Sequence, residues 1–86
     1  MKAEFTNHAR DKFLILEKHN FRINEETVIK TVEEPEKVKS GRKGRLIAGR
    51  AIDENHLLRV VYEIKDDRLI IVTFYPARSD RYEDRV

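Results

Sequence analysis

The spacing of apolar residues changes near residue 37. Before that point Ala9, Phe13 and Leu16 recur at i, i+4 and i+7, with Phe5 one turn earlier, which is the period of a helix. Thr6 or Asn7 can cap it, Asp11 lies early, and Lys18 and His19 lie late, matching the helix dipole, so a first helix is predicted over 6–19. Leu14 and Ile15 widen its apolar stripe and predict contact on more than one side. Asn20 closes it, because Asn tolerates the left-handed backbone of a helix end. Asn24-Glu25-Glu26-Thr27 then opens a second helix with an Asn cap and two carboxylates in the first turn; Val28, Ile29 and Val32 face inward and Pro35 stops it. Two short helices are unstable alone, so they need a sheet to lie on.

From Val38 the pattern becomes that of strands. Lys37-Val38-Lys39 reads as a short edge strand and Ser40-Gly41-Arg42-Lys43-Gly44 as a turn, followed by strands at 45–52, 56–65 and 69–76. The longest feature is a hairpin, LLRVVYEIKDDRLIIVTFYPAR at 57–78, whose two β-branched and aromatic runs are joined by Asp66-Asp67. The predicted fold is α+β: two N-terminal helices and then a three- or four-stranded antiparallel meander, forming a single domain over 1–86.

A two-residue Asp66-Asp67 turn sets Val60 opposite Thr73, Leu58 opposite Tyr75 and Arg59 opposite Phe74. For the preceding hairpin, a three-residue loop Asp53-Glu54-Asn55 sets Arg45 opposite Glu63 and Arg50 opposite Leu58. A two-residue loop would instead pair Arg50 with Arg59, two like charges, so the longer loop is expected. One sheet face then carries Arg50, His56, Leu58, Val60, Tyr62, Ile64, Leu69, Ile71, Thr73 and Tyr75. The other carries Ile47, Gly49, Ala51, Leu57, Arg59, Val61, Ile70, Val72 and Phe74. Two short helices cover only one apolar face, which leaves the other for a partner chain, a second copy or the C-terminal tail. Gly49 and Ala51 favour helix approach on the second face, which would expose a polar cluster of Arg50, His56, Thr73 and Tyr75, with Arg78 just beyond.

Charge adds one local feature to this frame. Eighteen Lys and Arg against sixteen Asp and Glu leave a formal charge of only +2. Lys37, Lys39, Arg42, Lys43, Arg45 and Arg50, however, share a stretch with no acidic residue, a surface for phosphate or simply a solvated loop. There is no cysteine, and His8, His19 and His56 form no metal motif, so neither a metal nor a cofactor is expected. No signal peptide or membrane span is apparent, so the expected location is the cytoplasm, with no membrane partner.

His8-Ala9-Arg10, Phe21-Arg22-Ile23-Asn24-Glu25-Glu26, Glu34-Pro35 and Val72-Thr73-Phe74-Tyr75-Pro76, in a helix-helix-sheet order, resemble the small prokaryotic proteins grouped with the RelE and BrnT toxins, in an uncharacterised branch of that group. The resemblance covers nearly the whole chain. It implies a RelE-like fold and the toxin of a toxin–antitoxin pair: a ribonuclease acting on mRNA, often on the ribosome, or a translation inhibitor, held inactive by an antitoxin protein. It matches Arg50 and Tyr75 to the family's sheet and tail positions, with Arg78, Arg81 and Tyr82 following the last strand.

Cleavage of that kind is attack of a ribose 2′-hydroxyl on its own phosphate, which needs a proton acceptor, a proton donor and cations, and no metal. His8 or His56 could accept the proton, Arg50 and Arg78 could hold the phosphate, and Tyr75 or Tyr82 could stack a base or donate a proton. Each has a plain structural alternative: hydrogen bonding at a helix start for His8, solvation for His56, a rim aromatic for Tyr75, a self-paired charged tail for Arg78, Arg81 and Arg85. The competing expectation for the chain is a non-catalytic module on the same scaffold, whose bare sheet face binds a partner or forms a homodimer.

Overall fold

A computed structural model describes residues 2–78. The order is β1 (Lys2–Phe5), α1 (Asn7–Lys18), α2 (Glu25–Glu33), β2 (Lys37–Ser40), a 3-10 turn (Arg42–Gly44), β3 (Leu46–Ala51), β4 (His56–Lys65) and β5 (Arg68–Arg78). The strands form one five-stranded sheet in the order β1-β5-β4-β3-β2. The α+β class and both helices are as expected, but the sheet is not an antiparallel meander of three or four strands. Its extra strand, β1, pairs in parallel with β5, from Lys2 beside Arg68 to Phe5 beside Ile71. Phe5 is therefore the last residue of a strand and not the first turn of a helix.

Thr6 joins the two layers. Its hydroxyl accepts a hydrogen bond from the Ala9 amide (3.1 Å), capping α1, and donates to the Val72 carbonyl of β5 (2.9 Å); its own amide donates to the Ile71 carbonyl (3.0 Å). At the other end Asn20 takes the left-handed conformation (φ 65°) and the Phe21 amide reaches back to the Leu16 carbonyl (2.8 Å), closing the helix as expected. Asn24 caps α2 through its side-chain oxygen, which accepts from the Thr27 amide at 2.9 Å. Leu14 and Ile15 depart from expectation: they are 63% and 46% exposed, so only one side of α1 is packed.

The turn at Asp66 and Asp67, both with positive φ (52° and 64°), makes the tight hairpin expected, and the register near it runs Lys65–Arg68, Ile64–Leu69, Glu63–Ile70, Tyr62–Ile71. The next pair is Val61 with Thr73, which leaves Val72 as a bulge. This extra residue overturns the expected partners: Val60 lies opposite Phe74, Leu58 opposite Pro76 and Arg59 opposite Tyr75. The loop at 53–55 has the expected length, with Arg50 opposite Leu58, and Arg45 lies 3.6 Å from Glu63.

The helices cover the face carrying Ala48, Leu58, Val60, Tyr62, Leu69 and Ile71, which the bulge completes with Phe74, all buried together with Ala9, Leu16, Ile23 and Val28. Phe13 bridges the layers, its ring centroid 4.7 Å from Phe74 and 5.7 Å from Phe5. The expectation that Gly49 and Ala51 would draw a helix to the other face is thus corrected. That open face carries half-buried Ile47, Leu57, Val61, Ile70 and Tyr75.

Candidate functional site

A cleft of about 570 Å³ opens where the α1–α2 connection and the first turns of α2 meet the end of β3 and the 53–55 loop. Each wall has a local cause. The left-handed Asn20 turns the chain so that Phe21 faces the sheet, the Asn24 cap fixes where α2 starts and so where Thr27, Lys30 and Thr31 stand, and the three-residue loop returns the chain at His56.

In the wall of the cleft His56 and Asp53 form a pair. The imidazole Nδ1 lies 3.0 and 3.1 Å from the two carboxylate oxygens of Asp53, and the Asn55 amide donates to the same carboxylate at 2.7 Å. The Asn55 amide, and then the His56 ring, hold the Asp53 carboxyl below its ordinary value of 3.8. A carboxylate on Nδ1 selects the tautomer with its proton there, which makes Nε2 the basic nitrogen. Phe21 packs against the imidazole edge to face, with centroids 4.9 Å apart, and limits its rotation.

Arg50 also lines the cleft, about a third exposed. Its Nη1 donates to the Glu34 carbonyl at 2.6 Å, closing the end of α2, and lies 4.0 Å from the Glu34 carboxylate. A guanidinium has five N–H donors, so this bond leaves others for a ligand. Lys30 and Arg22, the latter 3.6 Å from Glu17, add further cations, and the buried Thr31 donates its hydroxyl to the Thr27 carbonyl at 2.8 Å.

Of the residues singled out from sequence, the structure brings Arg50, His56 and Arg78 to one side. Arg78 is the cross-strand partner of His56, so their side chains share a face. Tyr75 is not with them. The bulge at Val72 turns Tyr75 to the open face, where it pairs across strands with Arg59 and the guanidinium carbon lies 5.5 Å from its ring centre; Thr73 is turned away with it. His8 sits exposed in the first turn of α1, at the opposite end of a helix whose far end borders the cleft, roughly 15 Å away along the axis. Arg81, Tyr82 and Arg85 lie outside the described residues.

Asp53, Lys30 and Phe21 were not singled out from sequence. Asp53 had a readable signal, because the expected three-residue loop places it three residues before His56 across a tight return. Lys30 and Phe21 had none, since their place in the cleft depends on how the helices cross the sheet. Among the described residues, no group of three His, Asp or Glu side chains is placed to hold a metal ion, and no helix is long and apolar enough to cross a membrane. The chain has no significant match among protein-family models, curated proteins or solved structures.

Proposed function

We propose that this chain is an RNA-cleaving toxin of the RelE/BrnT-like group, acting in the cytoplasm on mRNA, free or on the ribosome, and neutralised by an antitoxin protein. The observation that supports this reading is the Asp53–His56 pair beside Arg50 and Lys30 in one cleft. His56 Nε2 takes the proton of a ribose 2′-hydroxyl. The 2′ oxygen bonds to the adjacent phosphorus as the bond to the 5′ oxygen breaks, and that oxygen takes a proton from the Lys30 ammonium or from water. Arg50, with Arg78 across the strand pair from His56, stabilises the charge that develops on the phosphoryl oxygens. The products are a 2′,3′-cyclic phosphate and a 5′-hydroxyl, and no metal enters the scheme. Asp53 acts through His56 as a positioning residue.

The experiment is end-mapping of a defined mRNA in a translating extract, with and without ribosomes, using wild type, His56→Ala and Arg50→Ala. Discrete cuts that vanish in His56→Ala are the expected result. Folded wild-type protein that makes no cuts overturns the reading.

One observation favours a second reading, a non-catalytic module that binds a protein or a second copy of itself. Ile47, Val61 and Ile70 form an apolar strip on the face away from the helices. On that reading Val61→Asp abolishes association in size-exclusion chromatography, whereas His56→Ala has no effect.

A further inference from the structure

We propose that the sheet face turned away from the helices is the docking place of an acidic amphipathic helix of a partner protein. The inference rests on the reading in which a protein partner holds this chain, and it gives that partner a chemistry and a place away from the cleft. The strand register decides which charges share the face. Lys37 and Lys39 lie beside Gly49 and Ile47, Arg59 lies between Gly49 and Tyr75, and Arg45, two residues before Ile47, reaches Glu63 at 3.6 Å. At the hairpin end Lys65 pairs with Arg68 and Arg68 with Lys2, while Glu4 lies beside Ile70. The face therefore holds seven Lys or Arg against two Glu, whereas the rest of residues 2–78 holds nine against eleven Asp or Glu. A nearly neutral chain is thus divided into a strongly positive face and a weakly negative remainder.

Both carboxylates of the face are already met, Glu4 by Arg68 and Glu63 by Arg45, whereas Lys2, Lys37 and Lys65 form no ion pair among the described residues. Between the cations runs a diagonal apolar strip. Ile70, Val61 and Ile47 stand half-buried on the successive strands β5, β4 and β3, with the β2 lysines on one side and the group at the hairpin end on another. An apolar centre with a cationic border fits a helix whose apolar stripe is flanked by carboxylates. β4 has ten residues, about 33 Å of strand, which matches a helix of about 20 residues. Two other occupants fit less well. A second copy would bring two positive faces together. Single-stranded RNA needs rings on which its bases stack. Among the described residues the one ring of this face is Tyr75, which already has the Arg59 guanidinium 5.5 Å from its centre.

The test is ¹⁵N chemical-shift mapping of the full chain with a synthetic peptide of about 20 residues, carrying Leu at helical spacing and Glu on both flanks. An isomer of the same composition with the spacing scrambled is the control. The amides of Ile47, Val61 and Ile70 are expected to move with the first peptide and not with the second. Lys37→Glu combined with Lys65→Glu should weaken binding about tenfold at an unchanged melting temperature, and Val61→Asp should abolish it. Equal shifts with both isomers would overturn the proposal and leave charge alone as the cause. Absence of shifts at this face with either peptide would also overturn it. A single-stranded RNA oligonucleotide that moves the same amides and is not displaced by the first peptide would overturn it in favour of RNA. Cleavage of mRNA by the same preparation separates this claim from the ribonuclease. Cuts without peptide binding remove only the docking place, and peptide binding without cuts removes only the ribonuclease.

Discussion

The two faces of the sheet are built from the same strands and have opposite characters. On the covered face β4 and β5 contribute Leu58, Val60, Ile71 and Phe74, all fully buried. On the open face the alternating residues mix Val61 and Ile70 with ion pairs, Arg45 with Glu63 and Arg68 with Glu4. The chemistry divides in the same way. The cleft with its histidine–aspartate pair opens beside the helices, and Tyr75 with Arg59 lies behind them. A single inserted residue, Val72, decides the side on which Thr73, Phe74 and Tyr75 fall. Surface position in this domain is thus set by backbone register as much as by residue type.

The sharpest way to break this comparison is to truncate the neighbours Phe74 and Tyr75. Phe74→Ala removes a ring packed on Phe13 and should cost about 3–5 kcal/mol of unfolding free energy, whereas half-buried Tyr75→Ala should cost about 1 kcal/mol, both read by urea denaturation. Equal losses would mean that the open face is as tightly packed as the covered one. For activity, His56→Ala should lower RNA cleavage by about 10²–10⁴-fold, with Tyr75→Phe unchanged; the reverse order would move the chemistry to the open face. Asp53→Asn should lower cleavage by roughly 10–100-fold, as for outer partners that orient functional imidazoles. It should also shift the imidazole tautomer balance in ¹⁵N NMR, which a purely structural change at the loop would leave alone.

The smallest expected effect is that of acid. The folded Asp53 carboxyl titrates below its ordinary value of 3.8, so its contribution to the loop is complete above that value and is lost as pH falls through the lower, folded one. The midpoint at which the Asn55 amide resonance moves with acid should therefore lie below 3.8. A midpoint above that value would show that the carboxylate is not held as described.

Much of this frame is legible in the chain because the relevant interactions are local. The caps at Thr6 and Asn24, the end at Asn20 and the Asp66-Asp67 turn each depend on residues within a few positions. The 53–55 loop was readable because a shorter one sets Arg50 against Arg59. What could not be read involves partners far apart. Lys2–Phe5 is too short to declare itself a strand, and its partner lies more than sixty residues away. The Val72 bulge leaves no mark in composition, since Val, Thr and Phe suit either register. Arg50 was found as a charge in an otherwise apolar strand and His56 as a residue just after a turn, at the end of the sheet where the arginines converge, whereas Asp53 was read only as part of that turn and Lys30 was not singled out.

The position of β5 has a consequence for synthesis. The last described strand lies between β4 and the N-terminal β1, and it also receives α1. β1 therefore has no strand to pair with, α1 no β5 to pack on and Phe13 no Phe74 to meet until residues 68–78 have been made. During translation β2, β3 and β4 can form a hairpin array, but its apolar side lacks Ile71 and Phe74. Contacts this distant in sequence make closure slow compared with helix formation. The two layers therefore close only once residues 68–78 have been made, however early the helices themselves form.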